Sequence, residues 1–370
     1  MEFAFSGGKF VSSHGELNYK EVLADFPNAE IIRILTYNIS KKQENDVLMD
    51  ALKNAKADVQ LITHVPSRTD NYYNTDCGRR MRSAARFNIQ KYILKLNPYN
   101  FHEQFTPFFN FHNHAKIIGT ENIVYIGSAN YSNESANNIE TGVIIKDRDF
   151  IKKLYEEFFD ELRKKSISYF DENFSAFRLF ILSLYEKFKH HHRKMLTDLY
   201  TDYERTSIVV ADTVLMDIND LYALYQDLDD IESVCGAADD TYDEKNQSYN
   251  DDLEQLKKRF NSLDTDWLKK IISEDGTLYR LVAFDVAKKT DYILQTEYAT
   301  EAYDEQLLNK YAQTAVNSAA EMYSALHYGF EEESDTFLEE IKNILSALES
   351  AIKFTDKWKA SKINPEIDNT

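Results

Sequence analysis

Several kinds of residue are scarce in this chain. Two cysteines, Cys77 and Cys235, stand far apart among 370 residues, too few for a disulfide framework or a cysteine-held zinc. No apolar run approaches the roughly 20 residues that span a bilayer. The opening MEFAFSGGKF lacks the basic start and apolar stretch of a signal peptide. The expected setting is therefore cytoplasmic, with no membrane partner. Proline is absent between Pro107 and Pro365, and residues 161–370 contain only Gly236, Gly276 and Gly329. Both residue types break long helices, so their scarcity argues for helix there.

Charge divides the chain the same way. The formal net charge is -19, but residues 1–160 hold 19 Lys+Arg against 20 Asp+Glu, a net of -1, and residues 161–370 hold 24 against 42, a net of -18. A near-neutral first half can still carry a basic surface, so the overall acidity does not exclude a polyanionic ligand. Hydrophobic residues at 43% and aromatics at 13% provide for real cores.

What is present has two grammars. In residues 1–160, AEIIRILTYN and ADVQLITHV read as buried strands. QENDVLMDALKNAK and DCGRRMRSAARFNIQKYILKLNP read as helices, the second opened by Asp76 and closed by Pro98. NFHEQFTPFF, IVYI and ETGVIIKD are strand-like. This alternation predicts an α/β domain with a mixed sheet flanked by helices. Residues 161–370, with apolar positions at i, i+3, i+4 and i+7, predict an all-α domain; residues 239–252 read as a solvated loop within it.

One stretch carries chemistry: HNHAKIIGTENIVYIGSAN, residues 112–130. In a strand, His114 and Lys116 would share a face while Ala115 and Ile117 turn to the core. Gly127 would let an anion approach the backbone, and Asn130 would offer an amide. An imidazole, an ammonium, a hydroxyl from Ser128 and an amide converging on one point describe a phosphate site with a nucleophile beside it. A His-x-Lys alone is usually surface; it is the joint spacing with GSAN and NNIE that lifts it above that.

This arrangement resembles the phospholipase D superfamily. His114, Lys116, Gly127, Ser128 and Asn130 match its His-x-Lys and Gly-Ser-x-Asn in order, and Asn138 and Glu140 match its Asn-x-Glu. Where the family has an Asp this chain has Glu121, and the interval to the glycine is one residue shorter. The resemblance covers about residues 1–160. It implies a phosphodiesterase that needs no metal or other cofactor: His114 as nucleophile, Lys116, Ser128 and Asn130 stabilising phosphoryl charge, and Glu140 orienting a histidine. The only other His-x-Lys spacing, His192–Lys194, lies in a helical stretch with no Gly-Ser-x-Asn after it. One motif per chain implies a homodimer sharing one active site.

Further candidates surround the motif. No acidic residue occurs from Cys77 to His102, and Arg79, Arg82 and Arg86 would fall on one helical face suited to a run of phosphates. A solvated face is the competing account. Arg68, with Tyr72 and Tyr73, follows a strand end where α/β folds place ligand contacts, and His112 is a possible substrate contact. His190–His192 are consecutive on a helix and do not share a face for metal binding. The favoured substrate is nucleic acid, as in restriction or antiphage nucleases. The alternatives are a phospholipase or phosphatidyltransferase acting on lipid, or a non-catalytic scaffold. The acidic helical region would dimerise, dock a protein partner or cover the basic groove.

Overall fold

A computed structural model describes residues 2–5, 7–40, 46–65, 85–102, 104–131, 133–203, 207–298 and 305–359. Within these, the chain separates into two compact units: residues up to 65 with 85–183 and 355–359, and residues 184–354.

The first unit is built on a nine-stranded mixed sheet in the order β1-β2-β8-β7-β6-β3-β4-β5-β9. Its strands are β1 (Glu2–Phe5), β2 (Gly8–Ser13), β3 (Ile31–Thr36), β4 (Asp58–His64), β5 (Phe105–Asn110), β6 (Ile117–Thr120), β7 (Val124–Gly127), β8 (Glu140–Ile145) and β9 (Ile167–Ser168). β3, β4 and β5 run parallel, and every other pairing is antiparallel. The parallel trio lies towards one side of the sheet, and β3 and β4 are largely buried, which is why IIRILT and DVQLITH read as near-continuous apolar runs. Pro107 cannot donate to a ladder, and it sits in β5, whose outer neighbour β9 has only two residues.

Helices α1 (Lys20–Asp25), α2 (Val47–Lys53) and α3 (Ala85–Lys95) follow in this unit, then α4 (Arg148–Lys153), a π-helical segment Leu154–Phe159 and α5 (Asp160–Lys164) without a break. Ile151, Tyr155 and Phe159 pack on Leu35, Ile62, Ile117 and Val124, one face of the sheet. Ile34, Leu61 and Ile118, at alternate positions, are equally buried on the other. Asp46 starts α2 by accepting from Leu48 and Met49 N–H at 3.1 and 3.2 Å, and it also takes the buried Lys95 ammonium from the end of α3.

The second unit is mostly helical, as its absence of Pro and scarcity of Gly predict. The helices are α6 (Ala176–Asp198), α7 (Ile218–Glu232), α8 (Val234–Asp239), α9 (Gln247–Asn261), α10 (Thr265–Ile272), α11 (Thr277–Val282), α12 (Val286–Glu297) and α13 (Glu305–Lys357), the first and last beginning or ending in the first unit. A capping box between Asp217 and Asp220 opens α7. One addition was not expected from the sequence, the hairpin β10 (Tyr200–Tyr203) and β11 (Ser207–Val210). Residues 239–252 are only in part a loop, because α9 begins at Gln247. No helix among the described residues is long and apolar enough to cross a membrane.

Candidate active site

Two buried asparagines shape the segment between β5 and β6. Asn110 accepts from the His112 N–H at 2.8 Å and donates to the Ser166 hydroxyl at 3.0 Å. Asn113 accepts from the Ala115 N–H at 3.0 Å and donates to the Thr36 carbonyl at 2.9 Å. Such Asx turns fix the backbone locally, and they leave the His112 and His114 side chains exposed. The sequence expectation of His114 and Lys116 on one strand face is corrected here. β6 begins only at Ile117, and the His-x-Lys pair lies in a braced loop that leads into it.

Lys116 is half-buried. Its Nζ donates to the His114 carbonyl at 3.1 Å and lies 5.4 Å from the centroid of the Tyr37 ring. The His114 imidazole lies 4.5 Å from that ring, and His64 stacks on it at 4.9 Å. Burial pulls the Lys116 ammonium below the ordinary lysine range, and the negative charge of Glu140 works against that pull. Lys116 and Glu140 are thus within electrostatic reach of each other.

β7 and β8 supply the rest. The Gly127 N–H donates to the Lys116 carbonyl at 3.3 Å, tying the two halves of the motif together. Ser128 is exposed; its hydroxyl donates to one oxygen of Glu140 and accepts from the Thr141 N–H at 3.0 Å. The other Glu140 oxygen accepts from the Ser135 hydroxyl at 2.8 Å. Within one chain, then, Glu140 orients Ser128, and its remaining lone pairs stay available. Asn130 is half-buried, with a buried Oδ1 that has no hydrogen-bond partner among the described residues.

Gly127 has a different reason from the one its sequence suggests. It pairs with Gly142 across β7 and β8, and the Tyr125 ring occupies the space both leave. A Cβ on Gly142 would stand 2.5 Å from a Tyr125 ring carbon, and one on Gly127 would collide with the Tyr125 hydroxyl, which donates to the Thr141 carbonyl at 3.1 Å. The glycine leaves room for an aromatic ring.

Glu121 stands at the opposite end of β6 from His114. It accepts from the Glu30 and Ile31 N–H groups at 3.3 and 3.0 Å and from the Asn122 amide at 3.1 Å. Its carboxylate caps the start of β3, a structural duty. Arg86 is half-buried in the first turn of α3. Arg68, Arg79 and Arg82, with Tyr72 and Tyr73, lie outside the described residues. His190–His192 sit within α6, and His191 is hydrogen-bonded to Asp227 at 2.8 Å.

Sequence reasoning passed over Asn110, Asn113, Tyr37, His64 and Ser135. A signal was available for two of them. Tyr37 follows β3 and His64 ends β4, and the carboxyl ends of parallel strands are where such sheets gather ligand contacts.

Residues 27–162 match the family model described as cardiolipin synthase, PLD-like domain. No curated protein matches the chain. Among solved structures, the chain is similar to Nuc from Salmonella typhimurium, described as a phospholipase D family member, at 16% identity over 44% of this chain and 97% of that one, with a TM-score of 0.30. NucT from Helicobacter pylori aligns at 19% identity over 43% and 98%, TM-score 0.30. TrmBL2, described as an archaeal chromatin protein with a novel mode of DNA binding, aligns at 13% identity over 43% and 53%, TM-score 0.27.

Proposed function

Residues 27–162 belong to the phospholipase D superfamily of phosphodiesterases, and on that premise we propose that the chain is a metal-independent endonuclease, a homodimer sharing one active site. The observation that carries this is the joining of His114 and Lys116, through the Gly127-to-Lys116 hydrogen bond, to a serine held by Glu140. The His-x-Lys motif followed by Gly-Ser-x-Asn occurs once in the chain, and the second histidine of the reaction is proposed to come from the same motif of a two-fold partner.

In the first step His114 attacks the phosphorus, forming a P–N bond as the P–O bond to the leaving oxygen breaks. The partner subunit's His114 gives that oxygen its proton. In the second step the same partner imidazole takes a proton from water, whose oxygen attacks phosphorus and releases His114. Lys116 and Ser128 stabilise charge on the phosphoryl oxygens, and Asn130 donates through its amide. Nucleic acid is favoured over lipid by the absence of acidic residues from Cys77 to His102, a stretch with Arg79, Arg80 and Arg82 before Arg86 and Lys91 and Lys95 after it. The acidic helical unit is proposed as a regulator or a dock for a protein partner.

The test is turnover of labelled DNA, RNA and phospholipid vesicles in excess EDTA. His114→Ala is expected to lose activity by on the order of 10³-fold or more. Nucleic-acid cleavage that survives EDTA and vanishes in the variant supports the reading. Vesicle hydrolysis alone moves the substrate to lipid, and full activity in a species that light scattering finds monomeric overturns the shared site.

A further inference from the structure

We infer that Tyr37 is a positioning residue of this site, a fixed aromatic seat on which the His114 imidazole and the Lys116 ammonium are held together for the phosphoryl group. The inference rests on the phosphodiesterase reading above and adds a residue that the His-x-Lys and Gly-Ser-x-Asn motifs do not contain.

The backbone around Tyr37 is tied on three sides. Behind it, the Thr36 hydroxyl donates to the Asn38 carbonyl at 2.7 Å, and the Thr36 carbonyl receives the Asn113 amide from the His-x-Lys loop at 2.9 Å. Beneath it, the buried Tyr92 hydroxyl of α3 accepts from the Ile39 N–H at 3.2 Å and donates to the Asn38 side chain. Beside it, Ile39 bridges to Tyr131, the residue after Asn130. Tyr37 therefore moves only with the loop that carries His114 and the segment that carries Asn130.

Its ring then gathers the reacting groups. His64, from the end of β4, stacks on it at 4.9 Å with the planes 29° apart. His114 approaches at 4.5 Å and 53°, within the range of favourable aromatic pairs. Lys116 Nζ, at 5.4 Å, is close enough for attraction to the ring face. An exposed imidazole without such a seat samples several rotamers, and misplacing a reacting group by about 1 Å costs on the order of 10²-fold in rate.

The test is steady-state hydrolysis of bis(4-nitrophenyl) phosphate by the full-length protein, its Tyr37→Phe, Tyr37→Leu and His114→Ala variants, with thermal unfolding of each. Tyr37→Leu is expected to lower kcat by about 10- to 100-fold while KM stays within about 2-fold. Tyr37→Phe, which keeps the ring, should stay within about 3-fold of the parent. Unchanged kcat in Tyr37→Leu overturns the inference, and so does Tyr37→Phe falling as far as Tyr37→Leu, which would assign the role to the hydroxyl. If the parent and His114→Ala are equally inert, it is the phosphodiesterase reading that fails. The seat is then read by NMR, because the Tyr37 ring current shifts the His114 ring protons upfield, and unshifted protons overturn it. Should Tyr37→Leu not fold, His64→Leu replaces it; removing the backing ring should lower kcat by about 3- to 10-fold, and no change overturns the inference.

Discussion

A lysine, carboxylates and a histidine meet twice in this molecule, and the two meetings differ in what is left over. In the helical unit the half-buried Lys187 binds Asp227 at 2.6 Å and Asp230 at 3.3 Å, and His191 takes the other oxygen of Asp227. Burial pushes the Asp227 carboxyl up, but Lys187 and the His191 hydrogen bond outweigh it and hold the group well below the usual carboxylate range. In the sheet unit Lys116 bonds to a carbonyl and a ring face, His114 is exposed, and the buried Asn130 Oδ1 has no partner among the described residues. The first cluster has used its capacity on itself and serves the fold. The second is less fully bonded among the described residues. Residue types alone do not separate the two; satisfaction does.

The largest effect that would break this contrast concerns Asp227. Removing one member of a buried charge network strands the others, so Asp227→Ala is expected to cost about 3–5 kcal/mol of stability, read by urea unfolding. Because the folded carboxyl titrates below the unfolded one, its contribution is fully present at neutral pH and is lost only as pH falls through the folded value. The variant's unfolding profile should therefore be flatter in acid. An unchanged midpoint would make the helical cluster as incomplete as the other.

Ser128→Ala sharpens the opposite side. It should lower phosphodiester turnover by about 10²-fold with an unchanged melting temperature, since the hydroxyl is exposed. Smaller still is Glu121→Ala, expected to cost about 1–2 kcal/mol through the β3 amides it caps while leaving kcat intact. A loss of kcat there would give Glu121 a part in the chemistry. The smallest effect is in pH dependence. Lys116 is needed as an ammonium and burial lowers its pKa, so activity should fall on the alkaline side below the usual lysine range, and Lys116→Arg should remove that limb. Burial disfavours the charged form in the folded chain, so Lys116→Met should keep or slightly raise the melting temperature.

The sequence made the parallel strands and the helical half legible because both are written in local patterns: continuous β-branched runs, and apolar spacing without Pro or Gly. The β1–β2 hairpin escaped because its partner, β8, is far away in sequence and the opening segment was weighed only as a signal peptide. The β10–β11 hairpin escaped because scarcity of breakers favours helix without excluding a hairpin, and SIVV was the unused cue. At the site, the motif residues were visible as letters. Their loop placement depended on Asn110 and Asn113, and the Gly127 role depended on Tyr125 in the same strand. Such choices are made by contacts across the fold, which spacing does not record.

The pairing of β2 with β8 sets a schedule. Ser13 lies opposite Glu140, so the ladder that seats the site's carboxylate joins segments about 130 residues apart. At a synthesis rate of about 5–20 residues per second, β2 waits roughly 6–25 s on the ribosome for its partner. Until β8 emerges there is no Glu140 to hold Ser128, and a growing chain carries His114 and Lys116 without the strand that completes their surroundings.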